Sequence, residues 1–292
     1  MATPTLIACG QFCATHDASA NLAACQRLFQ LAVSRGAKLL FLPEASDYIS
    51  RSPNETLELC TDVNASPFVL GLRRSAKTHS LPIVAGIHEP SGHAHQVRNT
   101  CIYISSTGEI SHSYQKLHLF DVKTPEVTLT ESITTAAGNE FCLPFATPAG
   151  ILGLQICFDV RFPEGARWLV NRGAEILTYP SAFTVPTGRA HWELLLRARA
   201  VETQSWVVAP AQAGAHNEKR SSWGGACVID PWGTVVARCK NGDEAVGEDV
   251  CFAEVDLAVG RRVAGECVLR RRVWVTPHPS RRRRVSVRGK GG

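Results

Sequence analysis

The run Leu39-Leu40-Phe41-Leu42 is apolar at every position, is stopped by Pro43 and delivers the chain directly to Glu44. Such a run suits a strand buried on both faces, and a strand of that kind needs a layer above it and a layer below it. Comparable stretches recur at 6–12, 83–87, 101–105, 110–114, 151–156, 176–179, 206–211, 226–229 and 250–255. Helical patterns separate many of them. Residues 21–35 carry Leu22, Cys25, Leu28, Phe29 and Ala32 at helical spacing, with Gly36 as a stop. Residues 67–78, 163–171 and 192–205 read as further helices, and the ring of Pro163 suits a first turn. Strands interleaved with helices predict a layered α/β domain. The polar stretch 122–139 reads as a loop, and Asp230-Pro231-Trp232-Gly233 as a turn.

A chain of 292 residues can bury most of its apolar surface without disulfides or metal. A composition of 45% hydrophobic and 20% charged residues is that of a soluble globular protein. No apolar run approaches the roughly 20 residues of a membrane span. Of the 31 basic residues, 11 fall within 261–292 beside one acid, Glu266, so 1–260 carries 20 basic residues against 25 acidic ones. The body therefore lacks the basic balance of a nucleic-acid binder. The tail, with Arg281 to Arg284 in a row, reads as solvated chain. The 11 cysteines are scattered with no C-x-x-C pair, which argues against structural zinc. A first strand lies close to Met1, so no leader peptide is expected, and the thiols are expected to be free in a reducing, cytoplasmic setting.

Three segments carry chemistry. In Gly153-Leu154-Gln155-Ile156-Cys157-Phe158 an apolar strand runs into a cysteine and a helix start follows, as at a nucleophile elbow. Backbone N–H groups there favour a thiolate and a developing oxyanion. The other reading of Cys157 is a core thiol packed as a small hydrophobe. Glu44 stands at the C-terminal rim of a buried strand, where ligands of open α/β sheets collect. Partial burial would raise its pKa and let it take a proton near neutrality; a turn or helix-cap acid is the alternative. Lys116 lies in Tyr114-Gln115-Lys116-Leu117-His118-Leu119-Phe120-Asp121. A buried ammonium needs anions, which a carboxylate and a thiolate would supply; an ordinary surface lysine is the alternative. Arg161, just past the elbow, could meet a substrate carboxylate or close a salt bridge. His118 could partner Cys157 in a papain-like way, but a bond to backbone or to a carboxylate suits it better.

Taken in order, LPE, YQKLHLFD and GLQICFDVRFPE resemble the Glu-Lys-Cys signature of the nitrilase superfamily, the carbon–nitrogen hydrolases, over roughly residues 6–257. The resemblance implies a four-layer α-β-β-α sandwich and a homodimer. It makes Cys157 the nucleophile, Glu44 the general base, and Lys116 with the Phe158 N–H the oxyanion stabilisers. Glu131 matches the family's second glutamate, which orients Lys116 and Glu44. The implied activity is hydrolysis of linear amides through a cysteine thioester, with no metal or organic cofactor. The implied partner is a small-molecule amide, with no membrane and no nucleic-acid role beyond the basic tail. The segments Thr178-Tyr179-Pro180-Ser181-Ala182-Phe183 and Ala190-His191-Trp192-Glu193 are similar to the Nit branch. The stretch from Ala211-Gln212-Ala213-Gly214 through His216-Asn217-Glu218-Lys219-Arg220 to Trp223-Gly224 looks like the deaminated-glutathione amidases. That likeness implies 2-oxoglutarate and cysteinylglycine as products, with Phe158, Arg161, Phe183 and Arg220 on the substrate and Arg220 or Lys219 on its glycine carboxylate. The alternative is an omega-amidase acting on α-ketoglutaramate, or a broader amide or nitrile hydrolase. A non-enzymatic scaffold whose tail recruits nucleic acid conflicts with the intact Glu-Lys-Cys set. Residues 1–258 would form the hydrolase domain. Residues 259–292 would form a basic, disordered tail where the family carries a dimerising arm.

Overall fold

A computed structural model describes residues 3–123, 128–245 and 247–266. In chain order the first part holds β1 (Thr5–Phe12), α1 (Ala18–Ser34), β2 (Leu40–Phe41), α2 (Pro53–Leu59), α3 (Pro67–His79), β3 (Ile83–Pro90), β4 (Val97–Ile104) and β5 (Ile110–Gln115). Short strands β6 (Asp121–Lys123), β7 (Thr128–Thr130), β8 (Thr135–Ala136) and β9 (Phe145–Thr147) lead to β10 (Gly150–Leu154). Then follow α4 (Pro163–Val170), β11 (Ile176–Thr178), α5 (Val185–Thr203), β12 (Trp206–Ala209), β13 (Ala211–Asn217), β14 (Arg220–Trp223), β15 (Cys227–Ile229), β16 (Val235–Arg238), β17 (Asp249–Val255) and α6 (Leu257–Glu266).

The strands form two large sheets. One runs β14-β13-β1-β2-β3-β4-β5, with β17 paired to β1 and β8 to β4; the other runs β16-β15-β12-β11-β10-β9. Strand alternation assigns each side chain to a layer. Ile7, Cys9, Phe41 and Val84 point into a core shared with Leu152, Leu154, Ile176 and Val207 of the second sheet. Their neighbours Ala8, Leu40, Leu42, Ile83 and Ala85 point the other way, onto Leu28, Phe29 and Ala32 of α1 and Phe68 and Leu72 of α3. Both faces of the first sheet are thus apolar at its centre, which is why β1, β2 and most of β3 show no polar alternation. Helices α4 and α5 cover the far side of the second sheet with Leu169, Leu196 and Ala200. The result is the four-layer α-β-β-α sandwich.

Local chemistry accounts for the departures from the sequence reading. Helix α1 starts at Ala18, earlier than residue 21, because the Asp17 carboxylate accepts the Ser19 and Ala20 N–H groups at 2.9 and 3.0 Å. Helix α2 was not anticipated: it has seven residues and buries only Thr56, so it carries no apolar stripe. Helix α5 begins at Val185 with a proline in its first turn, ahead of the apolar pattern that marked 192–205. The stretch 122–139 is not one loop. Strands β6 and β7 pair as a hairpin, and β8 adds to β4, although 124–127 lie outside the described residues. The expected boundary at 258 also moves, since α6 carries the chain to Glu266. Val263 is buried and Val259 packs on the core; the adjacent Arg261 and Arg262 are exposed and mask that stripe in the composition. The rest of the expected tail, 267–292, lies outside the described residues. Among the described residues no helix is long and apolar enough to cross a membrane.

One glycine ties this packing to the rim of the sheet. A Cβ on Gly86 would lie 2.5 Å from the Glu44 Cα and 2.9 Å from the Pro43 oxygen. The bare backbone lets β3 hold the Glu44 loop directly, through Gly86 N–H to Pro43 O at 3.0 Å and Ser46 N–H to Gly86 O at 2.8 Å. Gly86→Ala must therefore displace Glu44. Destabilisation of about 1–3 kcal/mol is expected from such overpacking, read as a lower urea midpoint at constant slope; an unchanged midpoint would show that the loop yields freely.

Candidate active site

Three strand ends deliver the polar residues to one rim. Strand β2 ends at Phe41 and reaches Glu44 through Pro43, while β5 ends at Gln115, directly before Lys116. Beyond β10 the chain stays paired, with Gln155 N–H on Thr178 O at 3.1 Å and Cys157 N–H on Pro180 O at 3.0 Å. Cys157 itself has φ 45°, in the left-handed region that costs a side-chain-bearing residue strain. A 3₁₀ turn, Cys157–Arg161, then precedes α4, so the elbow is tighter than the direct strand-to-helix step expected. A parallel bridge between Ser181 and Ala211 links the extension of β11 to β13, so the two sheets meet beside this turn.

Lys116 is 2% exposed, and its ammonium donates to Glu44 Oε1 at 2.9 Å and to Glu131 Oε2 and Oε1 at 2.9 and 3.1 Å. Asn99 Nδ2 bridges the same two carboxylates, at 2.8 Å to Glu44 Oε1 and 3.1 Å to Glu131 Oε1. The other Glu44 oxygen accepts the Ala182 N–H at 2.8 Å, and Glu131 Oε2 accepts the Phe120 N–H at 2.7 Å. Both carboxylates are fixed by donors, as buried charges must be. Glu131 thus touches Lys116 directly and Glu44 through Asn99.

The charges correct two expectations. Burial alone drives the Glu44 carboxyl up, but the Lys116 ammonium and hydrogen bonds from Lys116, Asn99 and the Cys157 thiol outweigh it, so Glu44 is held below the ordinary carboxylate value rather than above it. Burial and the negative charge of Glu44 push the Cys157 thiol up, against the opposing pull of Lys116 and the Ala182 N–H. The resting pair is therefore thiol and carboxylate, and the turn after Cys157 does not make a standing thiolate. Burial pulls the Lys116 ammonium down, and Glu131, Glu44 and the thiol override that and hold it well above the ordinary lysine value.

Behind this centre, the fully buried Asp159 clamps the lysine segment to the elbow. It accepts Tyr114 OH at 2.8 Å, Ile156 N–H at 2.9 Å, His118 N–H at 3.1 Å and His118 Nδ1 at 2.8 Å. The His118 ring also stacks on Phe162, with centroids 3.6 Å apart. His118 is thus bonded to a carboxylate, not to Cys157.

A cavity of about 730 Å³ opens over the centre, within the roughly 300–1,000 Å³ of small-molecule sites. Glu44, Lys116, Glu131 and Cys157 line it, as do Phe158, Phe183 and Arg220. Arg161 does not. Its guanidinium lies over the rings of Phe158 and Phe183, at 5.5 and 5.7 Å, and its NH2 group meets His191 Nδ1 at 3.2 Å. The two phenyl rings that Arg161 lies over line the cavity, and Arg161 itself does not. Sequence reading missed Asn99, the Ala182 N–H and Gln212, whose amide holds the Glu44 backbone carbonyl at 3.0 Å. The available signal was a buried polar residue inside an apolar strand, as in Val97-Arg98-Asn99-Thr100. Removing the ammonium strands two carboxylates, so Lys116→Met should destabilise by roughly 3–5 kcal/mol. In the Lys116→Met/Glu131→Gln double variant the total loss should be smaller than the sum of the single losses, measured by denaturant titration; simple additivity would mean the two groups are not coupled.

The profile of the family described as carbon-nitrogen hydrolase matches residues 6–264. The chain is 46% identical over 255 residues to a probable hydrolase nit2 of Schizosaccharomyces pombe, covering 87% of this chain and 92% of that one. It is 43% identical over 256 residues to the deaminated glutathione amidase of Homo sapiens, covering 86% and 77%. The nitrilase and fragile histidine triad fusion protein NitFhit of Caenorhabditis elegans is 45% identical over 256 residues, and this chain spans 57% of its length. The crystal structure of that protein superposes with a TM-score of 0.85 over 93% of this chain and 66% of the other, at 42% identity.

Proposed function

The chain belongs to the carbon–nitrogen hydrolase family, and from that premise we propose that it hydrolyses deaminated glutathione to 2-oxoglutarate and cysteinylglycine. The observation that carries the reading is the contact of one buried carboxylate, Glu44, with both a thiol and an ammonium at the floor of a cavity. Glu44 takes the Cys157 proton as sulfur attacks the amide carbon. Lys116 and the Phe158 N–H hold the oxyanion, each such donor being worth roughly 3–4 kcal/mol. The C–N bond then breaks as Glu44 returns the proton to the departing amine, and a thioester remains on Cys157. Water adds to the thioester while Glu44 takes its proton; the carbon–sulfur bond breaks, the acid leaves and the thiol regains its proton. Glu131 keeps Lys116 and, through Asn99, Glu44 in register.

Three things support the peptide-sized substrate. Relatives at 43% identity are named deaminated glutathione amidase. The cavity is larger than a bare amide needs. Arg220, half-buried on β14, lines the cavity and makes no side-chain ion pair among the described residues, which supports a role for it on the glycine carboxylate. Phe158 and Phe183 supply the apolar wall between them. We propose also that the enzyme is a cytoplasmic homodimer; ten cysteines of the described residues are free thiols, which suits a reducing compartment.

Purified enzyme should turn over deaminated glutathione with a higher kcat/KM than α-ketoglutaramate, and Cys157→Ala should abolish both. Arg220→Ala should raise KM for the long substrate by roughly tenfold, the scale of one lost charge-assisted contact, and leave the short one much less affected. Faster turnover of the short substrate would overturn the assignment in favour of an omega-amidase. Light scattering should give the mass of two chains; the mass of one would exclude the dimer.

A further inference from the structure

A second carboxylate–imidazole pair lies on the cavity wall and takes no part in the chemistry above. His88, on β3, lines the cavity. It sits directly opposite Asn99 of β4 in the antiparallel ladder. Directly opposed residues present their side chains on the same face about 5 Å apart. His88 is thus next to the amide that bridges Glu44 and Glu131.

Its ring is held from two sides. Nδ1 meets Asp47 Oδ1 at 2.9 Å, and the ring stacks on Tyr48 with centroids 4.3 Å apart and planes 22° apart. Asp47 is itself fixed, accepting the His88 N–H at 2.7 Å and the Tyr48 N–H at 2.9 Å, and its side chain is 8% exposed. A carboxylate that accepts three N–H groups has only acceptors to offer, so Nδ1 carries the hydrogen. That leaves Nε2, which has no hydrogen-bond partner among the described residues. Protonated, the ring donates from both nitrogens, to Asp47 behind it and into the cavity in front.

The floor around it is anionic. Glu44 and Glu131 line it and share one cation, Lys116, and Asp47 stands behind the His88 ring. A substrate whose acyl end bears a carboxylate needs a further positive donor on this side. Arg51, which also lines the cavity, is engaged with Glu55, Lys219 lies in the β13–β14 turn at the edge, and Arg220 begins β14.

We propose that His88, oriented by Asp47 and Tyr48, is a specificity residue that binds the carboxylate at the acyl end of the substrate through Nε2–H. The inference rests on the amide-hydrolase reading and deepens it, giving the two ends of a dianionic substrate separate donors: Arg220 for the amine side and His88 for the acyl side. Asp47 acts through His88 and is a positioning residue.

The test compares His88→Gln with wild type on three amides: deaminated glutathione, α-ketoglutaramate, and an uncharged aliphatic amide of the same acyl length. The first two share the acyl carboxylate and the third lacks it. The expected result is a rise in KM on both anionic amides that exceeds any change on the uncharged one by roughly tenfold or more, the scale of a charge-assisted hydrogen bond, with kcat moving less. Asp47→Asn should shift KM in the same direction on the same two substrates. Thioester formation from the uncharged amide, seen as a mass increment on Cys157, verifies that each variant is folded. Equal losses on all three amides, or a loss confined to deaminated glutathione, would overturn the role of His88. If wild type instead prefers the short substrate while His88→Gln still discriminates by charge, only the peptide assignment falls and this inference stands.

Discussion

One ammonium, buried between two carboxylates, is the interaction around which the rest of this molecule is arranged. Lys116 is placed by the end of β5, Glu44 by the end of β2 and Glu131 by the 3₁₀ turn after β7. None of the three would be tolerated alone at such burial. Their mutual contacts therefore tie distant stretches of chain into one constraint. The Asn99 amide and the Ala182 and Phe120 N–H groups complete it, so each carboxylate oxygen is met by a donor. Fixing Glu44 this firmly keeps it ionised beside a thiol that is not. The resting pair thus holds an ionised base beside a thiol that still carries its proton.

The double-sheet architecture is what allows so polar a centre inside so apolar a body. Apolar residues of both sheets fill the space between them, and only at the C-terminal strand ends does the chain turn outward. The elbow at Cys157 uses a backbone conformation unfavourable for a cysteine, and Ala45, beside Glu44, adopts a similar one at φ 54°. Both strained residues flank the same cavity. Strain of that kind persists where packing and hydrogen bonds over-determine the geometry, and here Asp159 and Gln212 supply those bonds.

Much of this was legible in the sequence. The unbroken apolar runs announced strands covered on both faces, and Glu44 and Cys157 each followed such a run, whereas Lys116 follows the mixed strand Ile110–Gln115. Glu131 was reached only through family resemblance, since nothing in Thr130-Glu131-Ser132 distinguishes it from a surface acid. Asn99 escaped because it lies between Arg98 and Thr100, and nothing in three consecutive polar residues says which buried partner one of them serves. The ionisation of Glu44 and Cys157 was misjudged for a physical reason: burial and charge pairing act in opposite directions, and their balance depends on contacts between residues 72 positions apart, as with Lys116 and Glu44. Short elements such as α2 and the β6–β7 hairpin lack the length to show a period.

The β13–β14 hairpin hangs at the edge of the first sheet, paired through β13 to β1, and brings Arg220 to the mouth of the cavity. None of the side chains that hold the carboxylates and the thiol lies on its turn. On the proposed role of Arg220, a change in the length or charge of that turn alters the departing half of the substrate and leaves the bond-cleaving residues in place. Acyl chemistry and amine preference are then inherited on separable pieces of chain, and a handful of hairpin residues sets the exchange of one leaving group for another.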